Sequence, residues 1–380
     1  MSVRIATFNV ENLMARFDFS GWRDAKRRDR TLGGKDVESK EDYRVLEQAR
    51  VIAHEDDARQ MTALAIADCG ADIVCLQEVE NLETLEAFER NYLARMAGLS
   101  YPHKVWVEGN DTRGIDVALM AREETADGEP ITIRKVTSHK DKSFAELGVF
   151  HEGLRDVNME PDTKLFRRDC LEVDLKIGGK PLTLYICHFK SMGSGKDGLS
   201  GRERTQLVRE AEAKGVRRII ENRFGADRAR DMRWLICGDL NDYRERLVVG
   251  GDRLVGHTFT SMKEETSGLE PLFEDGFGDD LLARRPADDR WTLHYATGLN
   301  PTPRIPHTRP LRHLVQLDYM IASPRLARDN GEAVPDIIRS GLPHRTILPE
   351  AQDVPRYPRT GWDRPKASDH CPVAVTLDIV

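Results

Sequence analysis

Apolar residues along this chain gather in short runs or alternate with polar ones, the signature of β-strands. Eight segments carry the pattern: Arg4–Asn9, Asp72–Gln77, Ile115–Ala121, Cys170–Lys176, Leu182–His188, Met232–Cys237, Leu317–Ile321 and Val373–Ile379. Between some of them the spacing becomes helical. Arg44–Cys69 repeats apolar residues at Val45, Ile52, Met61, Leu64 and Ile66 and reads as more than one helix. Leu82–Met96 follows Asn81, a side chain suited to an N-cap. Arg202–Arg223 sets Leu207, Ala211, Val216, Ile219 and Ile220 on one face. Strands outnumber helices and do not strictly alternate with them, which predicts an α+β layered architecture: two packed sheets with helices outside. The stretches Phe17–Glu41, Ala126–Phe166, Gly250–Asp289 and Thr297–His313 are rich in Gly, Pro and charge and read as long loops or insertions. No internal repeat or shift in composition divides the chain, so one domain over residues 1–380 is expected.

Composition narrows this picture. At 39% hydrophobic and 32% charged residues, the 380-residue chain can bury a large core beneath a solvated surface. It has no apolar run of eighteen and no signal-peptide pattern at its start, so a cytoplasmic monomer without a membrane span is expected. Its six cysteines lack C-x-x-C spacing, and Cys75, Cys187 and Cys237 lie in apolar runs as small buried hydrophobes. The net charge of −7 argues against holding nucleic acid by bulk charge. It leaves room for a nuclease whose contacts are local. The basic cluster Arg16, Arg23, Lys26, Arg27, Arg28 and Arg30 reads first as a solvated loop, with phosphate contact as the minor reading.

Five segments share one grammar, in which an apolar strand ends and a carboxylate, amide or imidazole follows at once. They are Phe8-Asn9-Val10-Glu11-Asn12, Leu76-Gln77-Glu78-Val79, Cys187-His188-Phe189-Lys190, Cys237-Gly238-Asp239-Leu240-Asn241 and Ser368-Asp369-His370-Cys371-Pro372. Each alone reads as a turn; together they predict strand ends converging on one pocket. Asp239 and Asn241, two apart, point the same way in an extended segment. Asp239 could then orient or deprotonate a water beside the Asn241 amide, which can donate a hydrogen bond. Two lookalikes fall away. Gly193-Ser194-Gly195-Lys196-Asp197 lacks Walker-loop spacing, and His54-Glu55-Asp56-Asp57 lacks the second histidine of H-E-x-x-H and reads as a charged helix face.

The ordered set Asn9-Val10-Glu11, Gln77-Glu78, Gly238-Asp239-Leu240-Asn241, Leu317-Asp318-Tyr319 and Ser368-Asp369-His370 resembles the endonuclease/exonuclease/phosphatase (deoxyribonuclease I-like) family across nearly the whole chain. The resemblance implies a four-layer α/β/β/α sandwich and Mg²⁺-dependent hydrolysis of phosphodiesters, with Mn²⁺ as a substitute ion. It implies Glu78 as metal ligand, joined by Glu11 and Asp369, which suits magnesium's use of one or two carboxylates plus waters. It further implies that Asp318 orients His370, that His370, Asn241 and Asn9 bind the developing charge, and that His188 or a water on the cation protonates the leaving oxygen. Asp116 is the candidate partner for His188, and Arg113, Arg168 and Lys190 are candidate phosphate contacts. The segment His188-Phe189-Lys190-Ser191 resembles bacterial nucleases of the family and tilts the substrate towards DNA or RNA, although the sequence offers no evident aromatic stacking platform. The alternatives are a phosphatase or phosphodiesterase of a small molecule or lipid headgroup, and a binding module without catalysis.

Overall fold

The computed structural model describes residues 1–14, 38–42, 56–193, 200–252, 254–296 and 312–380. Two six-stranded mixed sheets dominate it. In the first, β1 (Ser2–Leu13) runs parallel to β2 (Ile73–Val79) and antiparallel to β16 (Val373–Asp378). Next come β4 (Asp116–Ala121) and, at the edge, β3 (His103–Trp106). In the second, β7 (Lys180–His188) runs parallel to β8 (Trp234–Asp239), flanked by β6 (Cys170–Ile177) and β14 (Asp318–Ala322). Each sheet thus has a central parallel pair, and the C-terminal ends of those four strands build the site.

Burial on both faces explains why the central strands read as apolar runs. Along β8, Leu235 and Cys237 face the other sheet, where they meet Ile5, Cys75 and Leu119. Trp234 and Ile236 face outward onto Val216, Ile219 and Ile220 of the helix α3 (Gly201–Phe224). Phe8, Val74 and Leu76 of the first sheet pack outward on Met61 and Ile66 of α1 (Asp56–Cys69) and on Leu85 and Phe88 of α2 (Leu82–Phe88). The order helix, sheet, sheet, helix is the predicted four-layer sandwich. Asn81 caps α2, accepting from Thr84 N at 2.7 Å, and the helix continues as the π-helical turn Glu89–Ala97 until Gly98 ends it in the left-handed region. Ser200 and Glu203 form a reciprocal capping box at the start of α3.

All eight predicted strands are present with small changes at their ends. The expected loops are only partly loops. Within 126–166, Ile131–Ser138 forms β5, the edge strand paired with β6, and Phe144, Leu147, Leu154, Leu165 and Phe166 pack beneath α3. An edge strand with Arg134 and Lys135 turned to solvent shows little apolar alternation, which hid it. Likewise 250–289 holds the end of a hairpin, β9 (Glu245–Asp252) and β10 (Gly256–Lys263). That hairpin joins β12 (Leu293–Ala296) and β13 (Arg312–Val315) in a third sheet of order β10-β9-β13-β12. The basic cluster from Arg16 to Arg30, the helical residues 44–55, the residues 194–199 and most of 297–313 lie outside the described residues. All six cysteines are free and buried, and among the described residues no helix is long and apolar enough to cross a membrane.

Candidate active site

The four parallel strand ends open into one pocket of about 540 Å³ that contains Asn9, Glu11, Glu78, His188, Asp239, Asn241, Asp369 and His370. Local irregularity aims these side chains. Register shifts interrupt the β1–β2 ladder between Asn9 and Leu13 and the β2–β4 ladder between Gln77 and Val79. Such bulges redirect a side chain that plain alternation would turn away. Glu11, Asn12, Glu78 and Asn241 have φ of 49°, 62°, 69° and 51°, a strained region for non-glycine residues that clusters at functional sites. Gly238 is obligatory for a different reason: at φ 141° a Cβ there would lie 1.9 Å from the Cys187 carbonyl oxygen. Only glycine lets β7 and β8 stay paired beside the site.

The register of the second sheet sets His188, Asp239 and Asp318 side by side on adjacent strands. Four side-chain nitrogens then gather around Asp239 Oδ2: Asn9 Nδ2 and Asn241 Nδ2 at 3.0 Å, His188 Nε2 at 3.4 Å and His370 Nε2 at 3.7 Å. His370 Nδ1 donates to Asp318 Oδ2 at 2.8 Å, which leaves Nε2 to face the pocket. Asp318 is held in turn, because Thr292 Oγ1 accepts from the N–H groups of Leu317 and Asp318 at 3.0 and 3.1 Å. Ser368 ties the end of β1 to the segment that leads into β16: its hydroxyl donates to Asn9 O at 2.7 Å and accepts from His370 N at 3.0 Å. Glu78 accepts from Asn12 N at 2.9 Å.

Burial and charge give the two imidazoles opposite characters. Burial alone would lower His370, but Asp318, Asp239 and Asp369 outweigh it and hold the ring well above its ordinary value. His188 is pushed well below by burial, reinforced by the positive charges of Arg168, His370 and Arg113. These surroundings favour the protonated ring at His370 and the neutral ring at His188. Burial raises Asp239, against the pull of His370. Glu78 is raised by burial and then by repulsion from Asp369.

A cation would relieve that repulsion, and the donor set of carboxylate oxygens suits a hard ion. Among the described residues no group of three His, Cys, Asp or Glu side chains is arranged as a ready-made metal cage. An ion that keeps several waters needs only one or two carboxylates, and Glu78 with Asp369 meets that requirement. Glu11 is engaged by Arg364 and Lys366, at 2.7 and 2.9 Å, so its carboxylate already has cationic partners.

The other expected residues divide. Arg113 and Arg168 line the pocket, both held by Asp111, and Arg168 Nη1 also donates to Phe189 O at 3.0 Å. Lys190 does not reach it. Its Nζ donates to Ser191 O at 3.1 Å and it lines a neighbouring hollow, because Phe189 turns into the core and Lys190 N donates to the buried Glu212. The expected pairing of Asp116 with His188 is not formed either. Among the described residues His188 Nδ1 has no hydrogen-bond partner, while Asp116, in the other sheet, sits against Gly109. Residues missed in the sequence include Asp111 and Thr292, which position others, and Arg345, Arg364, Lys366 and Tyr295 on the pocket wall. The run Arg364-Pro365-Lys366 just before Ser368-Asp369-His370 was a signal that could have been used.

The sequence profile of the Endonuclease/Exonuclease/phosphatase family matches residues 4–279. This chain belongs to that family and is a phosphoesterase, a hydrolase. The catalytic domain of human Nocturnin, solved with a bound sulfate anion, is similar with a TM-score of 0.50 at 14% identity, over 100% of this chain and 95% of that one. A family protein from Bacteroides thetaiotaomicron gives 0.50 at 12% identity, over 100% of this chain and 98% of that one. At such identity the likeness is one of fold. Among curated protein sequences none matches this chain.

Proposed function

We propose that the protein is a Mg²⁺-dependent phosphodiesterase that cleaves nucleic acid. The observation that carries this reading is the convergence of Asn9, Asn241, His188 and His370 on the single oxygen Asp239 Oδ2. Asp239 holds the attacking water and accepts its proton. Asn241 and the cationic His370 donate to the phosphoryl oxygens on which charge grows, and Asp318 keeps His370 in that tautomer. His188, kept neutral by burial and with Nε2 towards the site, serves as a hydrogen-bond donor in place of the proton source expected from the sequence; as the water oxygen bonds to phosphorus the P–O bond to the leaving oxygen breaks, and that oxygen takes its proton from solvent water. A magnesium or manganese ion held by Glu78, with Asp369 and Glu11 on the same wall, would polarise the phosphoryl oxygen as a Lewis acid. Arg113, Arg168, Arg345, Arg364 and Lys366 supply local positive charge on an acidic chain, as a polyanionic substrate requires.

The bounded pocket favours a second reading, a small phosphoester, since small-molecule sites commonly enclose roughly 300–1,000 Å³. Turnover of single- and double-stranded DNA, RNA and a generic bis-ester, with Mg²⁺, Mn²⁺ or EDTA and across a salt series, separates the two. Nucleic-acid cleavage that needs the ion and weakens as salt rises supports the nuclease. Salt-insensitive turnover of small esters alone would sink it.

A further inference from the structure

We infer that Tyr295 is the specificity-determining wall of this site, on which a nucleobase next to the scissile phosphate stacks. The inference rests on the phosphodiesterase reading and deepens it: the substrate carries a flat ring. An isolated β-bridge ties Leu293 to His370, so β12 starts at the catalytic histidine. Tyr295 lies two residues further along the same strand face, roughly 7 Å by strand rise, about one nucleoside away from the reacting phosphate.

The ring is backed by a column. Tyr295 stacks on His313, its cross-strand partner, with centroids 4.9 Å apart and planes at 30°. His313 leans on Tyr243 at 5.9 Å, and the Arg202 guanidinium covers Tyr243 at 4.3 Å. Asp242 and Glu264 fix Arg202 at 2.6 and 3.0 Å. Of the three rings only Tyr295 lines the pocket. His313 is buried and, among the described residues, neither of its nitrogens has a hydrogen-bond partner, so it acts here as a flat slab. Burial lowers it to about 4, which keeps that slab uncharged. A ring immobilised in this way loses little freedom when a second ring stacks on it. This platform was invisible in the sequence, where Tyr243, Tyr295 and His313 are scattered.

The test uses the full chain with Mg²⁺ and compares single-stranded DNA with the same backbone bearing base-free tetrahydrofuran residues. Wild type should prefer the base-bearing strand by roughly tenfold or more in kcat/KM. Tyr295→Ala should erase the preference by slowing the base-bearing strand alone, and Tyr295→Phe should keep it, with Tm checked for both variants. Equal slowing of both strands, or no change in the ratio, overturns the inference. A second pair, 1-naphthyl phosphate and glycerol phosphate, tells the two failures apart. If DNA stays intact but Tyr295→Ala removes a preference for the naphthyl ester, the stacking wall stands and the nuclease reading falls. If wild type prefers neither ring-bearing substrate, the wall itself is wrong.

Discussion

Asp239 and His370 titrate as neighbours, and the sign of each shift decides the pH behaviour. In the proposed mechanism Asp239 acts ionised, and burial raises it, so activity should fade on the acid side at a higher pH than an ordinary carboxylate would allow. In the same mechanism His370 acts protonated, and its carboxylate neighbours favour the proton, so activity should fall only when pH rises past its raised value. The expected profile of kcat/KM is a bell reporting the pair. Asp318→Asn removes a carboxylate that holds the His370 proton at 2.8 Å. The alkaline limb should move to lower pH and the maximum should drop, towards the roughly 10²–10³-fold expected for losing a charge-stabilising donor. An alkaline limb that stays in place in Asp318→Asn would show that His370 is not the group titrating there. Asp239→Asn and His370→Ala should nearly silence turnover with thermal stability retained.

At the scale of elements the site depends on how closely β7 and β8 approach and how β14 is anchored. Gly238→Ala sets a methyl against the Cys187 carbonyl and should destabilise the fold by on the order of 2–4 kcal/mol. Thr292→Val removes one hydroxyl that accepts two buried N–H groups, at a cost of about 1–3 kcal/mol. Because those groups belong to Leu317 and Asp318, the valine variant should lower kcat with little change in KM. Denaturant titration and steady-state kinetics check both variants, and a Thr292→Val enzyme with wild-type kcat would remove Thr292 from the positioning of Asp318. The central strands were legible because burial on both faces leaves uninterrupted apolar runs, as in Trp234-Leu235-Ile236-Cys237. Edge strands such as β5 were not, since solvent takes one face and charge masks the period. The motif carboxylates, amides and histidines were legible at strand ends. Lys190 lines a neighbouring hollow, and Thr292, Tyr295 and Lys366 were missed, because such placements depend on contacts between distant segments, such as the Leu293–His370 bridge.

For the whole molecule, the question is how a chain of net charge −7 would meet the polyanion proposed as its substrate. The pocket places Arg113, Arg168, Arg345, Arg364 and Lys366 beside Glu11, Glu78, Asp239, Asp363 and Asp369. All five cations are already paired: Arg364 and Lys366 with Glu11, Arg345 with Asp363, Arg113 and Arg168 with Asp111. A phosphate backbone must compete with those carboxylates, so few counterions are released for each strand bound. The salt dependence of cleavage of single-stranded DNA should then be real but moderate, with a log–log slope of about −1 to −3 at about −0.7 per phosphate contacted. Arg345→Gln and Arg364→Gln lie on the exposed side of the pocket, and each should flatten the slope by up to about 1 while lowering kcat/KM for DNA alike across sequences. Removing Arg364 leaves Glu11 with Lys366 as its remaining cationic partner, so the change should also tighten apparent Mg²⁺ affinity if Glu11 helps to hold the ion. A slope unchanged in both variants would mean that the polyanion does not pass over this rim, and with it the local-contact account of how an acidic protein handles nucleic acid would fail.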